Sequence, residues 1–71
     1  MTENVLLREV RIQSGLSQTE FAKYFGIPKK TLQGWEQNQR NIPEYLLRLM
    51  IYRLENEDIV KGMIDKLDDN E

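Results

Sequence analysis

Turn-forming residues recur at short intervals along this 71-residue chain, so no regular element can exceed a few helical turns. They are Gly15, Gly26-Ile27-Pro28, Asn41-Ile42-Pro43 and Asn56-Glu57-Asp58. The five segments between them place apolar residues at helical spacing, and none shows the alternation of a half-buried strand. The pattern therefore predicts an all-α fold of five short helices.

The first two segments carry clear helix-end signals. The first predicts a helix over residues 3–14, because Gly15 follows it where a helix favours a left-handed residue. The second opens with a capping box, Ser17-Gln18-Thr19-Glu20, and Leu16 with Phe21 fits a hydrophobic staple. We expect this second helix to run to about Tyr24.

The third segment begins near Pro28, which suits a first helical turn. Leu32 and Trp35 face inward; Trp35 could stack on a base, but its inward position favours the core. The 3.6-residue period leaves an outer face of Lys29, Lys30, Gln33, Gly34 and Gln37. Two short helices joined by a glycine-containing turn form a helix-turn-helix, in which the second helix lies in the major groove of DNA.

The last two segments are more apolar on one side than a surface helix needs. The fourth predicts a helix from Pro43 to about Leu54, and its wide apolar band suggests a partner. The last predicts a helix over about 58–67, with Asp58 as its cap and Gly62 inside it. We expect one domain over 1–71, with a core over about 3–55 and a frayed acidic tail at 68–71.

The composition narrows the possible functions. The chain has no cysteine and no histidine, which excludes Cys/His metal sites and Cys- or His-dependent nucleophilic catalysis. Its net charge of −2 is unevenly divided. Residues 1–53 carry eight Lys and Arg against five Asp and Glu, whereas residues 54–71 carry two against seven. We expect a cytoplasmic protein with a basic body and an acidic end, without cofactor, metal, small-molecule substrate or membrane segment, and not an enzyme.

Several motifs together resemble the Cro/CI-type (XRE) helix-turn-helix family. They are Gly15-Leu16-Ser17-Gln18-Thr19-Glu20-Phe21-Ala22, Phe25-Gly26-Ile27, Thr31-Leu32, Trp35-Glu36 and Pro43. The resemblance covers about residues 5–54 and extends to small phage and bacterial regulators and to HigA-like antitoxins. It implies a five-helix, lambda-repressor-like DNA-binding domain with its helix-turn-helix at helices two and three.

The resemblance also implies roles for individual residues. An ion pair between Arg11 and Glu36 would join helix one to helix three. The positions that face base edges are Lys29, Lys30, Gln33 and Gly34. The positions expected at phosphates are Gln18, Thr31, Gln37, Asn38, Gln39 and Arg40.

Some of these side chains have a second interpretation. Lys29 and Lys30 either read guanine or form a solvated face, and their place at the start of the groove-facing helix favours the first. Gln33 has the chemistry to bind adenine with two hydrogen bonds. Thr31 either contacts a phosphate or packs the turn.

Three positions depart from the family pattern. Pro28 stands where the family usually has a Ser or Thr cap, so a side-chain cap and an amide are lost. Gly34 removes a base-reading side chain. Asn38 stands where glycine is frequent, and asparagine tolerates the left-handed conformation.

Two classes of function follow. The first is sequence-specific binding of double-stranded DNA by a small transcriptional regulator, a repressor acting as a homodimer. The second is a protein-interaction module, such as an antitoxin or anti-regulator, whose acidic C-terminal helix binds a toxin or regulator. The residues expected at a dimer or partner face are Tyr45, Leu49, Tyr52, Ile59, Met63 and Leu67.

Overall fold

Five α-helices and no strand make up residues 3–68, the part of the chain that the computed structural model describes. The expected all-α, five-helix fold is therefore confirmed. No helix in this part is long and apolar enough to cross a membrane. The helices are α1 (Glu3–Ser14), α2 (Gln18–Phe25), α3 (Lys29–Glu36), α4 (Glu44–Asn56) and α5 (Met63–Asp68).

The capping box that begins α2 forms as the sequence predicts. The Glu20 amide donates to Ser17 Oγ at 3.1 Å, and the Ser17 amide donates to Glu20 Oε1 at 2.9 Å. The hydrogen bond from the Ser17 amide, followed by that from its side chain, lowers the pKa of the Glu20 carboxyl. A helix start leaves its first backbone amides without partners inside the helix. A capping box gives two amides at the start side-chain acceptors, so this motif fixes where α2 begins.

Four helices are followed within two residues by a left-handed residue. These residues are Gly15 after α1, Gly26 after α2, Asn38 after α3 and Asp58 after α4, with φ of 77°, 69°, 61° and 59°. After Asp58, for example, the amide of Ile59 donates to the Leu54 carbonyl at 2.8 Å, which is the Schellman arrangement. Asn and Asp adopt this conformation more readily than other non-glycine residues.

The core is built around α1, which packs against α3, α4 and α5, while α2 packs against α3. Leu32 and Trp35 are buried there, as expected. The fully buried large side chains come from all five helices and from the loop before α4: Leu6, Leu7, Val10, Phe21, Leu32, Ile42, Leu47, Ile51, Leu54, Met63 and Leu67.

The C-terminal helix differs from the prediction in its start. Asp58 does not cap α5, because its left-handed backbone ends α4 instead. Gly62, expected inside the helix, precedes it with φ of 72°, and α5 begins at Met63. Asp68 is the last residue of α5 rather than the start of the acidic tail, and residues 69–71 lie outside the described part.

Half of the expected partner face also proves to be interior. Met63 and Leu67 are buried in the core, and Ile59 packs half-buried against it. Met63 and Leu67 cannot form an exposed face, because they fill the space between α5 and the rest of the molecule. The core thus extends beyond residue 55, and the exposed part of the predicted face reduces to Tyr45, Leu49 and Tyr52 on α4.

A carboxylate of α4 caps the start of α5. Glu55 Oε2 accepts hydrogen bonds from the amides of Met63 at 2.9 Å and Ile64 at 3.2 Å. Two ion pairs add weaker contacts to α5: Arg48 lies 2.9 Å from Asp68, and Lys66 lies 3.6 Å from Glu9. Because a six-residue helix is not stable alone, these contacts and its buried side chains hold α5 in place.

We expect Glu55→Ala to lower the free energy of unfolding by about 1–2 kcal/mol, because two helix-start amides lose a charged acceptor. Denaturant unfolding measures the loss, and amide hydrogen exchange at Met63 and Ile64 should accelerate. Asp65→Ala, which removes an exposed carboxylate from α5 itself, is the control and should change little. Equal effects of the two substitutions would contradict the capping role.

Candidate nucleic-acid interface

The connection between α2 and α3 is a tight turn of Gly26, Ile27 and Pro28. Gly26 is left-handed, and the Ile27 amide donates to the Ala22 carbonyl at 2.9 Å. Pro28 occupies the cap position of α3 in an extended conformation and gives no side-chain cap, as its chemistry requires. Helices α2 and α3 thus form a helix-turn-helix.

The outer face of α3 is basic at its start. Lys29 and Lys30 are both exposed, and Gln33 is half-buried. Gly34 was expected on this outer face and is instead buried, because the loop after α3 covers it. Its carbonyl accepts from the amides of Gln39 at 2.9 Å and Arg40 at 3.3 Å.

Gly34 also borders an open cleft between α3 and the loop that follows it. The volume of this cleft is about 450 Å³. The residues lining it are Pro28, Lys30, Thr31, Gly34, Gln39 and Arg40. With Lys30 and Arg40 on its walls and an alcohol at Thr31, the cleft has the chemistry to receive an anionic group such as a phosphate.

The loop after α3 is fastened to α1 by Asn4, a residue that is only 4% exposed. Its Nδ2 lies 2.7 Å from the Arg40 carbonyl oxygen, and 3.1 and 3.3 Å from the side-chain oxygens of Asn38 and Asn41. Its Oδ1 accepts from the Ile42 amide at 3.0 Å. The backbone that carries Arg40 is therefore fixed rather than free to swing.

The sequence interpretation missed Asn4. The signal was a polar residue at position 4, one turn before Leu7 on the apolar face of α1. A polar residue at such a position must find partners inside the molecule.

Arg11 and Glu36 join α1 to α3 by a two-pronged ion pair. Arg11 Nε lies 2.6 Å from Glu36 Oε2, and Arg11 Nη2 lies 3.0 Å from Glu36 Oε1. The Glu36 side chain is only 5% exposed, and Arg11 Nη1 donates to the Leu16 carbonyl at 3.1 Å. The pair is short, bidentate and largely removed from water, which makes it stronger than a surface pair.

A chain of amides extends from this pair toward the outer surface. Gln18 Nε2 donates to Glu36 Oε1 at 3.1 Å, and Gln33 Nε2 lies 3.4 Å from Gln18 Oε1. Gln18 keeps a second Nε2 hydrogen that these bonds do not use. The first side chain of α2 is therefore oriented by the ion pair while retaining a donor.

The remaining predicted contact residues lie in the loop. Gln37, Asn38, Gln39 and Arg40 are exposed, and Gln39 Nε2 donates to Gln37 Oε1 at 3.1 Å. The Asn38 side chain, in contrast, faces Asn4. Lys30 thus shares the cleft with Gln39 and Arg40, whereas Gln18 lies beside Gln33 and Glu36 of α3.

A helix-turn-helix family model matches residues 7–51, more than half of the chain. The fold and this match define a DNA-binding transcription regulator. The chain belongs to the Cro/CI-type (XRE) helix-turn-helix family. Comparisons with curated proteins and with solved structures gave no significant match.

We expect Glu36→Gln to lower the free energy of unfolding by about 3 kcal/mol, because it leaves the Arg11 guanidinium buried without its counter-charge. Urea unfolding measures the change. Asp68→Asn breaks the exposed pair with Arg48 and should cost less than about 1 kcal/mol. A loss for Glu36→Gln no larger than that of Asp68→Asn would contradict the importance of the buried pair.

Proposed function

We propose that this protein is a sequence-specific repressor that inserts α3 into the major groove of double-stranded DNA. The observation that carries the proposal is the fixed basic surface formed by the start of α3 and the loop after it. Lys29, Lys30 and Arg40 lie there, on backbone fastened by Asn4 and by the pair of Arg11 with Glu36.

The charge of this surface differs from that of the whole chain. Residues 28–42 contain three cations and one acid, Glu36. The Glu36 carboxylate is buried and neutralised by Arg11, so the exposed charges of this segment are all positive. A local positive field of this kind attracts DNA even though the net charge of the protein is −2.

Base reading falls to Lys29, Lys30 and Gln33 in this proposal. Lysine at the start of a recognition helix bonds guanine O6 and N7, and glutamine bonds adenine N6 and N7. Gln33 reaches adenine by giving up its long contact to Gln18. Gly34 contributes no side chain and is covered by the loop, so we assign it no base contact.

Phosphate binding is assigned to both sides of α3. On one side, Gln18 offers its unused donor at the start of α2, where helix amides also favour anions. On the other, Lys30, Thr31 and Arg40 line the cleft described above. The loop residues Gln37, Asn38 and Gln39 complete this group, Asn38 through its backbone because its side chain faces Asn4.

A homodimer on a two-fold site is part of the proposal. One copy of so small a domain offers only a few base contacts, and useful specificity requires two half-sites about one helical turn apart. The alternative, a protein-interaction module using α5, loses its expected apolar contacts because Met63 and Leu67 are buried. The DNA-binding interpretation is therefore preferred.

We expect the affinity for random-sequence duplex DNA to fall steeply with salt concentration, because cations on the proposed surface displace counterions. Lys30→Ala/Arg40→Ala should reduce the slope of log K against log salt by about 2. Fluorescence anisotropy at several salt concentrations measures these slopes.

The matched control is Lys61→Ala/Lys66→Ala, which removes two positive charges at and just before α5. Its slope should equal that of the wild type, since these residues lie outside the proposed surface. Equal losses in the two double variants, or no salt-dependent binding by the wild type, would contradict the proposal.

A further inference from the structure

Apolar exposure in the described part of the chain is concentrated on α4. Five large apolar side chains are exposed in the described part of the chain, and three of them are on α4. They are Tyr45, Leu49 and Tyr52. Their spacing of four and three residues places them on one stripe, on the side of α4 away from the buried Leu47, Ile51 and Leu54.

A hollow of about 190 Å³ lies beside this stripe. Its lining is almost entirely apolar: Phe25, Ile27, Leu46, Leu49, Met50 and Arg53. The four lining residues from α4 stand at positions i, i+3, i+4 and i+7. This is the set of four residues that forms a hole for one side chain of a facing helix.

We propose that α4 pairs antiparallel with α4 of a second copy of this chain, with the two-fold axis beside Leu49. This inference rests on the proposed function and names the surface through which two DNA-bound copies meet. Leu49 of each copy enters the hollow of the other. Tyr52 of one copy then lies opposite Leu46 of the second.

The charges at the two ends of α4 select the antiparallel direction. Glu44 lies in the first turn and Arg53 in the last turn of the helix. With the axis beside Leu49, Glu44 of each copy comes within reach of Arg53 of the other, so attraction occurs at both ends. A parallel pair would instead bring Glu44 against Glu44 and Arg53 against Arg53.

Arg53 already has contacts within its own chain. Its Nε lies 3.3 Å from Glu57 Oε2, and its guanidinium lies 4.8 Å from the centre of the Tyr24 ring. A guanidinium has five N–H donors, so these contacts orient the group without exhausting it. Arg53 is thereby held at the rim of the hollow.

The paired surface is small. Two partly exposed tyrosines and one leucine offer on the order of 300–400 Å² per copy, against about 800 Å² per partner in a stable interface. Free copies therefore associate weakly. Two copies on adjacent half-sites face each other at a high effective concentration, so the pair forms on DNA.

Crosslinking tests the surface directly, since the chain has no cysteine of its own. Leu49→Cys and Ile12→Cys give a matched pair, because both side chains are 60% exposed, one on α4 and one on α1. With a short bifunctional maleimide and random-sequence duplex DNA at low salt, Leu49→Cys should give at least about tenfold more crosslinked dimer than Ile12→Cys. Equal yields, or more from Ile12→Cys, would overturn the proposal.

A charge exchange tests the direction of pairing. In the Leu49→Cys background, Glu44→Arg and Arg53→Glu should each lower the crosslinking yield, because each places like charges at both ends of the pair. An equimolar mixture of the two should recover the yield, since only the mixed dimer restores both attractions. Failure of the mixture to recover it overturns the antiparallel register.

The outcome for this surface can be separated from the outcome for DNA binding. If the wild type binds DNA but Leu49→Cys crosslinks no better than Ile12→Cys, the pairing is wrong and the proposed function stands. If DNA binding is absent, the same two variants compared at high protein concentration without DNA decide the pairing alone. A partner of another kind on this face would leave α4 uncrosslinked in both experiments.

Discussion

The buried ion pair between Arg11 and Glu36 joins the three helices that form the proposed DNA-binding surface. Arg11 fixes α3 to α1 through Glu36 and also bonds the Leu16 carbonyl just before α2. Glu36 in turn receives the side chain of Gln18, the first residue of α2. One contact therefore sets both the position of α3 and the orientation of the Gln18 amide, to which we assign a phosphate contact.

Asn4 fixes the loop after α3 to α1, just as the ion pair fixes α3 itself. Its four hydrogen-bond contacts connect α1 to the loop over residues 38–42, two through the backbone of Arg40 and Ile42 and two through the side chains of Asn38 and Asn41. Asn4 and Arg11 both belong to α1. The first helix therefore holds the proposed surface in place, although we assign none of its exposed side chains to DNA. In the proposed complex, a basic surface held in this way needs little ordering, and affinity benefits accordingly.

The sequence predicts the parts of this molecule that depend on neighbouring residues. The capping box at Ser17, the left-handed Asn38 and the helix-turn-helix itself all follow from short-range patterns. The errors arise where distant residues decide. Asp58 has the chemistry of a helix cap, yet the chain there ends α4, and the acceptor for the start of α5 is Glu55 from the preceding helix. Burial of Gly34 likewise depends on the path of a loop that local spacing does not specify.

The most direct test of the account is a titration of isotope-labelled protein with duplex DNA at low salt, followed by amide chemical shifts. We expect the largest changes at Gln18, Lys29, Lys30 and Arg40, and no change at the amides of α5. Changes confined to α5, or no change at any DNA concentration, would contradict the assignment of α3 and its following loop as the DNA-binding surface.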